Sequence, residues 1–276
     1  MTDERREHVH GMWAAVADRW AENADYIETR APEITKALLD GAAIGPSDRV
    51  LELASGPGGF GIAAAALARE VVASDVVPAM VEATATRAAR AGITNLAAKV
   101  LDLEAIAEPD ASFDVVVCRE GLMFAVDPSA AVAEIARVLK PAGRVAVSVW
   151  APKAENPWLA IVMNAVSDLL GMEVPPPGMP GPFALADSER LTGLFRDSGF
   201  VDVTLSTAAS PLHADSFAAW WQRTRDLAGP VAGIIARLPE ASQRDLEARV
   251  RAAAEPYSSS DGIDLPGLTL VVTAHL

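Results

Sequence analysis

The feature that most constrains this chain is a glycine loop set between a strand and a helix. Arg49-Val50-Leu51-Glu52-Leu53 reads as a buried strand, Ala54-Ser55-Gly56-Pro57-Gly58-Gly59 follows, and an Ala-rich helix over 59–69 completes the unit. Glycines at such a junction let the backbone approach a ligand and leave the first helix amides aimed at it. The strand–helix rhythm then repeats: strand 71–75, helix 78–91 begun by Pro78 and stopped near Gly92, and strand 96–101. Next come the almost wholly apolar strand 113–118, helix 128–139 and strand 144–150. Lys140-Pro141-Ala142-Gly143 reads as the stop of the last helix. Short links in this order predict an α/β fold with a doubly wound parallel sheet, strand 113–118 at its centre.

The rhythm does not cover the whole chain. Two helices, at 3–22 and 31–42, precede it, making 1–44 an N-terminal helical segment over the cofactor site and 45–150 the nucleotide-binding core. After Trp150 comes an apolar segment, 158–170, and then the run Pro175-Pro176-Pro177-Gly178-Met179-Pro180-Gly181-Pro182. Residues 151–186 are expected to form an inserted cap, 187–208 to continue the core with a helix and a strand, 209–263 to add a second, helical cap segment, and 264–276 to give a final core strand. A cap is expected over the carboxyl ends of the strands, where open α/β sheets bind ligands.

Composition excludes several functions. The single Cys118 rules out an internal disulfide framework and any cysteine-cluster metal site, and no pair of the four histidines has metal-ligand spacing, so no metal is expected. A net charge of -14 repels a phosphate backbone, which speaks against nucleic acid as substrate. Met1 to Glu7 is polar and charged, and no run of 18 uncharged apolar residues occurs, so neither a signal peptide nor membrane insertion is expected. A cytoplasmic protein, monomeric or homodimeric, with a small-molecule partner fits.

By its glycines alone, the loop suits two cofactors. Gly56-x-Gly58-x-x-Gly61 with Asp75 about 20 residues on is the literal dinucleotide fingerprint, so an NAD-dependent oxidoreductase is one reading. S-adenosylmethionine is the other, since a carboxylate at Asp75 can accept from the hydroxyls of either ribose. Three features favour S-adenosylmethionine. Glu52 precedes the glycines, where a carboxylate is unfavourable beside a pyrophosphate but suits an ammonium and a sulfonium. Leu101-Asp102-Leu103-Glu104 is an acidic loop that can meet an adenine amine. A hairpin-like pair of late strands, 201–208 and 268–276, stands where a dehydrogenase would carry a substrate domain.

Glu52-x-Ala54-x-Gly56-x-Gly58-Gly59, Asp75, the Leu101-Asp102-Leu103 loop, Phe113-Asp114-Val115-Val116-Val117 and Leu139-Lys140-Pro141-Ala142-Gly143 stand in one order. In that order the chain, over roughly 45–208, resembles the class I S-adenosylmethionine-dependent methyltransferases. It is most similar to the small-molecule type of ubiquinone and menaquinone biosynthesis. One departure is Ala54, where the family most often has glycine. The resemblance implies a Rossmann-like, seven-stranded sheet whose last strand is antiparallel. It also implies that Glu52 and the backbone of Ala54, Gly56 and Gly58 hold the methionine part and that Asp75 takes the ribose diol. Val76 and Met80 would lie against the adenine, Asp102 would accept from its amine with the Leu103 amide nearby, and the Arg119 backbone would meet the methionine ammonium. Trp20 and Tyr26 would close over the cofactor. The complete motif set argues against a non-catalytic binding protein on this fold. Cys118-Arg119-Glu120-Gly121 lacks the Asn/Asp-Pro-Pro-aromatic tetrapeptide of enzymes that methylate DNA amines.

Methyl transfer is an in-line displacement in which positioning supplies most of the rate, and a base is needed only where the nucleophile must shed a proton. Glu120 is the first candidate base, with pairing to Arg119 or helix capping as its structural alternative. His213 is the second, if its loop faces the cap. Met123 and Phe124 follow the fourth strand; Trp158, Phe183, Trp220 and Trp221 belong to the cap segments. Together they are candidates for an apolar substrate pocket, with ordinary helix packing as the competing reading. Trp220 and Trp221 are about 100° apart on a helix, so one of them can line a pocket while the other packs a core.

Overall fold

The computed structural model describes residues 2–276. Four helices come first, α1 (Thr2–Ala14), α2 (Ala17–Glu22), α3 (Ala24–Arg30) and α4 (Pro32–Ala42). The alternating part runs β1 (Arg49–Leu53), α5 (Gly59–Ala65), β2 (Glu70–Asp75), α6 (Pro78–Arg90), β3 (Leu96–Val100), β4 (Phe113–Arg119), α7 (Pro128–Val138) and β5 (Leu139–Trp150). Then follow α8 (Pro157–Leu170), α9 (Ser188–Asp197), β6 (Val201–Ala209), β7 (Leu212–Ala214), α10 (Phe217–Leu227), α11 (Pro230–Arg237) and α12 (Glu240–Ala254). The chain closes with β8 (Ser258–Ser259), β9 (Gly262–Leu265) and β10 (Leu268–His275).

Seven strands form one sheet in the order β3-β2-β1-β4-β5-β10-β6, and only β10 runs antiparallel to its neighbours. The predicted Rossmann-like sheet with an antiparallel last strand is therefore what forms. Its central strands are apolar on both faces because helices cover both. On one face Val50, Val115 and Val117 meet Ile34 and Leu38 of α4 and Phe60 of α5. On the other, Leu51, Val116 and Val147 meet Ile135 of α7 and Phe195 of α9. A separate apolar core gathers α8, α10, α11, α12 and the small β7-β9-β8 sheet around Val162, Trp220, Trp221, Leu246 and Ile263. Asn156, fully buried, joins this layer to the main sheet. Its amide donates to the carbonyls of Ala151 (3.0 Å) and Leu268 (2.9 Å), while Oδ1 accepts from Trp158 Nε1 (3.1 Å) and the Leu268 N–H (3.0 Å).

Some local expectations give way. The helix expected over 3–22 breaks at Ala15-Val16 into α1 and α2, and α3 adds a helix that its polar sequence concealed. Leu139 to Gly143 is not a loop after a helix stop: Leu139 already pairs with Phe113, and the Pro-Ala-Gly step is absorbed as a register shift between Phe113 and Val115. The Ala142 N–H donates to the Leu276 carbonyl, so the step is paired on its other side as well. Within 214–254, Gly229-Pro230 and Pro239 divide the helical stretch into three. Among the described residues no helix is long and apolar enough to cross a membrane.

Candidate active site

A cleft of about 1200 Å³ opens at the carboxyl ends of β1, β2 and β4. Strand order reverses between β1 and β4, which leaves a gap between their following loops. The loop after β1 supplies the floor. Ala54 (φ 52°), Gly56 (φ 52°) and Gly58 (φ 88°) are all left-handed, so the backbone coils beneath the cleft. A Cβ at Gly58 would stand 2.5 Å from Thr84 Cγ2, which accounts for glycine there. Ala54 occupies the same backbone region at a cost of about 1 kcal/mol, the physical reason glycine is the commoner residue at its position.

Two carboxylates face this floor. Glu52 is 2% exposed, and its Oε2 has no hydrogen-bond partner among the described residues. Burial pushes its carboxyl up to about 8, with the Arg119 charge and the Gly61 N–H opposing. Asp75 is held from both sides: Oδ2 accepts from the Gly56 N–H and Oδ1 from the Val77 N–H, each at 2.9 Å. Burial raises its pKa too, and these N–H groups work against that rise. A buried carboxylate oxygen without a partner is the mark of an absent cationic or donor group, and an amino-acid ammonium answers it. An ammonium favours the ionised form of this carboxyl, whereas a pyrophosphate would have to hold it protonated, which weighs the glycine pattern toward S-adenosylmethionine. The donor set thus fits S-adenosylmethionine.

Asp102 lies at the other end of the cleft. Its Oδ1 accepts from the Glu104 N–H (2.8 Å), and its Oδ2 is ion-paired with Arg6 of α1 (2.6 Å), with His10 Nε2 3.7 Å away. Helix α1 therefore lies across this end, and Val9, His10 and Trp13 line the cleft beside Trp20. Trp13 meets Trp20 and Phe124 edge to face, with centroids 5.2 and 4.9 Å apart. None of these α1 residues stands out in the sequence; their role comes from a tertiary contact. Val76, Met80, Leu103 and Phe124 line the same cleft.

Glu120 sits where the cleft meets a second cavity of about 700 Å³. Glu120, Trp150, Trp20, Ile27 and Arg119 line both. Glu120 is itself left-handed (φ 55°), held by the Ser148 carbonyl and hydroxyl at its N–H (2.9 and 3.1 Å). Backbone strain of this kind collects at functional sites. Its Oε1 accepts from Thr269 Oγ1 at 3.3 Å, so it is not spent on Arg119. Arg119 instead donates to Glu28 Oε2 (2.9 Å), Thr35 Oγ1 (3.1 Å) and the Ile27 carbonyl (3.2 Å). Cys118, one residue earlier, is buried, and burial pushes its thiol up to about 12, which excludes a thiolate nucleophile.

Several candidates move. Tyr26 lines the second cavity rather than the cofactor cleft, its ring under the Arg223 guanidinium at 3.7 Å. Gly58 shapes the loop without lining the cleft. Met123 turns into the main core because its short 3-10 turn directs Phe124, not Met123, outward. Trp158 and Trp220 line the second cavity, whereas Trp221 packs in the cap core and Phe183 packs against Trp150, at 6.2 Å between centroids. His213 lies exposed in an outer depression, its Nδ1 on Asp264 (2.8 Å) and its Nε2 3.7 Å from Asp215. Those carboxylates raise its pKa, the Asp264 hydrogen bond most, and outside the cleft it cannot serve as the base.

Residues 51–147 match the family model described as a methyltransferase domain. The chain is 34% identical over 122 residues to the uncharacterized methyltransferase YcgJ of Bacillus subtilis, 44% of this chain and 47% of that one. It is 32% identical over 157 residues to the ubiquinone/menaquinone biosynthesis C-methyltransferase UbiE of Ralstonia pickettii, 54% of this chain and 64% of that one. The crystal structure of Bacillus subtilis YcgJ superposes with a TM-score of 0.60 at 20% identity, covering 88% of this chain and 97% of that one, and so shares its fold. Domain match, fold and the buried, unpartnered carboxyl oxygen of Glu52 agree: residues 51–147 form a methyltransferase domain of class I type, and S-adenosylmethionine is its cofactor.

Proposed function

We propose that the chain methylates oxygen, nitrogen or carbon of a small metabolite with an apolar, aromatic body. One observation carries this: the cofactor cleft adjoins, through the shared lining residues Glu120, Arg119, Trp20, Ile27 and Trp150, a cavity also walled by Trp158 and Trp220. The relative named as a C-methyltransferase of ubiquinone and menaquinone biosynthesis supports an aromatic acceptor. When bound, S-adenosylmethionine supplies a methyl group made electrophilic by its sulfonium. Glu52 would bind the ammonium, and the Ala54, Gly56 and Arg119 backbone would orient the methionine part. Asp75 would receive the ribose hydroxyls with its remaining lone pairs, while Val76, Met80 and Leu103 would enclose the adenine near Asp102. Trp20 and the α1 residues exclude water from this end, which strengthens the charge interactions inside. Glu120 accepts the proton from an O–H or N–H nucleophile at the boundary of the two cavities. The negative surface favours a small-molecule partner over nucleic acid, and a monomer or homodimer in the cytoplasm fits.

The test is calorimetric titration with S-adenosylhomocysteine and, separately, with NADH, followed by mass-spectrometric detection of methyl transfer to aromatic acceptors. Binding of S-adenosylhomocysteine but not NADH is expected; the reverse would overturn the reading.

A further inference from the structure

The residues around the second cavity carry more hydrogen-bond donors than the protein satisfies. Among the described residues seven buried side-chain polar atoms have no partner, and five belong to residues lining it: Trp20 Nε1, Tyr26 Oη, Arg30 Nε, Trp150 Nε1 and Trp220 Nε1. All five can donate. Arg30 lies over the Trp158 ring at 4.1 Å and Arg223 over the Tyr26 ring at 3.7 Å. Neither guanidinium has a hydrogen-bond or ion-pair partner among the described residues. Burial lowers the Arg30 pKa, with the Glu120 charge opposing.

In a chain of net charge -14, carboxylates are plentiful, yet none is set on these two cations. Glu120 is the one carboxylate among the lining residues, and it bonds to Thr269. On the outer side Asp264 is engaged by His213. The third arginine, Arg119, shows the contrast, since Glu28, Thr35 and the Ile27 carbonyl satisfy it. Buried donors left without acceptors are costly unless a ligand provides them.

We infer that the second cavity takes an aromatic organic acid, its carboxylate received by Arg30 with Arg223 beside it and its ring between the tryptophans. This rests on the reading of that cavity as the acceptor site. The charges orient the molecule: Glu120 repels the carboxylate, Arg30 attracts it, and the methyl-accepting atom comes to lie at the Glu120 end. A carboxylate clamped by a guanidinium is a weak nucleophile, so the accepting atom is another atom of the same molecule.

The experiment titrates S-adenosylhomocysteine-loaded protein with 2-naphthoate and with the neutral 2-naphthalenemethanol, using wild type, Arg30→Met, Arg30→Lys and Arg223→Met. Wild type should prefer the acid by at least about 10-fold. Arg30→Met should erase the preference while keeping the affinity for the alcohol and for S-adenosylhomocysteine. Arg30→Lys should restore part of it, and Arg223→Met should lessen it. Equal binding of acid and alcohol by wild type overturns the inference. So does no binding of either, or a preference that survives in Arg30→Met. Loss of S-adenosylhomocysteine binding by wild type would instead strike the methyltransferase reading, so the two failures are distinguishable.

Discussion

Glu52→Gln should make the ligand-free protein more stable at alkaline pH and the cofactor weaker. The carboxyl of Glu52 sits at about 8 instead of its ordinary 4.5 because burial disfavours its charge. Between those values the folded chain keeps a proton that the unfolded chain has released, so this group's stabilising effect is complete below about pH 4.5 and lost as pH rises to about 8. The gap corresponds to about 5 kcal/mol. A neutral amide escapes this loss but brings its own burial cost of about 1–3 kcal/mol, leaving a net gain of about 2–4 kcal/mol at pH 8.5. For a chain of this size that is a Tm rise of roughly 5–15 °C. At pH 4.5, where the wild-type carboxyl is already neutral, only the amide's burial cost of about 1–3 kcal/mol remains, and the sign should reverse. Losing a charge-assisted partner for the ammonium should cost about 1.5–3 kcal/mol, or about 10- to 100-fold in S-adenosylhomocysteine affinity. Thermal unfolding of both proteins across pH 4.5–8.5, with calorimetric titration of the ligand, measures both effects. A variant less stable than wild type at pH 8.5, or one with undiminished affinity, would refute the assignment of an uncompensated carboxylate to this site.

Asp75→Ala removes the acceptor of the Gly56 and Val77 N–H groups as well as the proposed ribose contact. S-adenosylhomocysteine binding should fall by about 100-fold or more in titration. Glu120→Gln should lower kcat by at least about 10-fold with S-adenosylhomocysteine affinity unchanged, and the deficit should shrink as pH rises and the nucleophile ionises unaided; a loss below that size rejects an essential base. Asn156→Ala strips the Leu268 backbone of both its Asn156 hydrogen bonds. It should destabilise by about 2–4 kcal/mol, seen as a Tm drop of roughly 5–15 °C.

The core was legible in the sequence because its signals are local. Runs such as Val115-Val116-Val117-Cys118 need burial on both faces, and the loop after Glu52 needs left-handed backbone, so pattern and composition suffice. The cleft carboxylates Glu52 and Asp75 sit at strand ends whose register follows from that pattern. What could not be read arises between distant segments. Arg6 meets Asp102 across 96 residues, and Glu28 meets Arg119 across 91. The donors around the second cavity come from α2, α3, β5 and α10, and no spacing rule links them. The aromatic residues show the same limit: Trp220 and Trp221 are equally apolar, and only the helix phase set by the cap core decides which one lines the cavity. Lys140 to Gly143 misleads for a different reason, since Pro and Gly punctuate a strand bulge as readily as a helix end.

Ala209 and Leu268 stand directly opposite each other as partners in the β6–β10 ladder. The segment that carries β7, α10, α11, α12, β8 and β9 therefore leaves the sheet and returns to it at one clamped pair. Loop-closure entropy depends only weakly on length, about 0.6 kcal/mol for each doubling. Residues can be added, deleted or exchanged between those two points with little penalty to the sheet. The wall bearing Trp220 and Arg223 can thus be rebuilt, and with it the shape of the second cavity, while the sheet and the loop after β1 stay as they are.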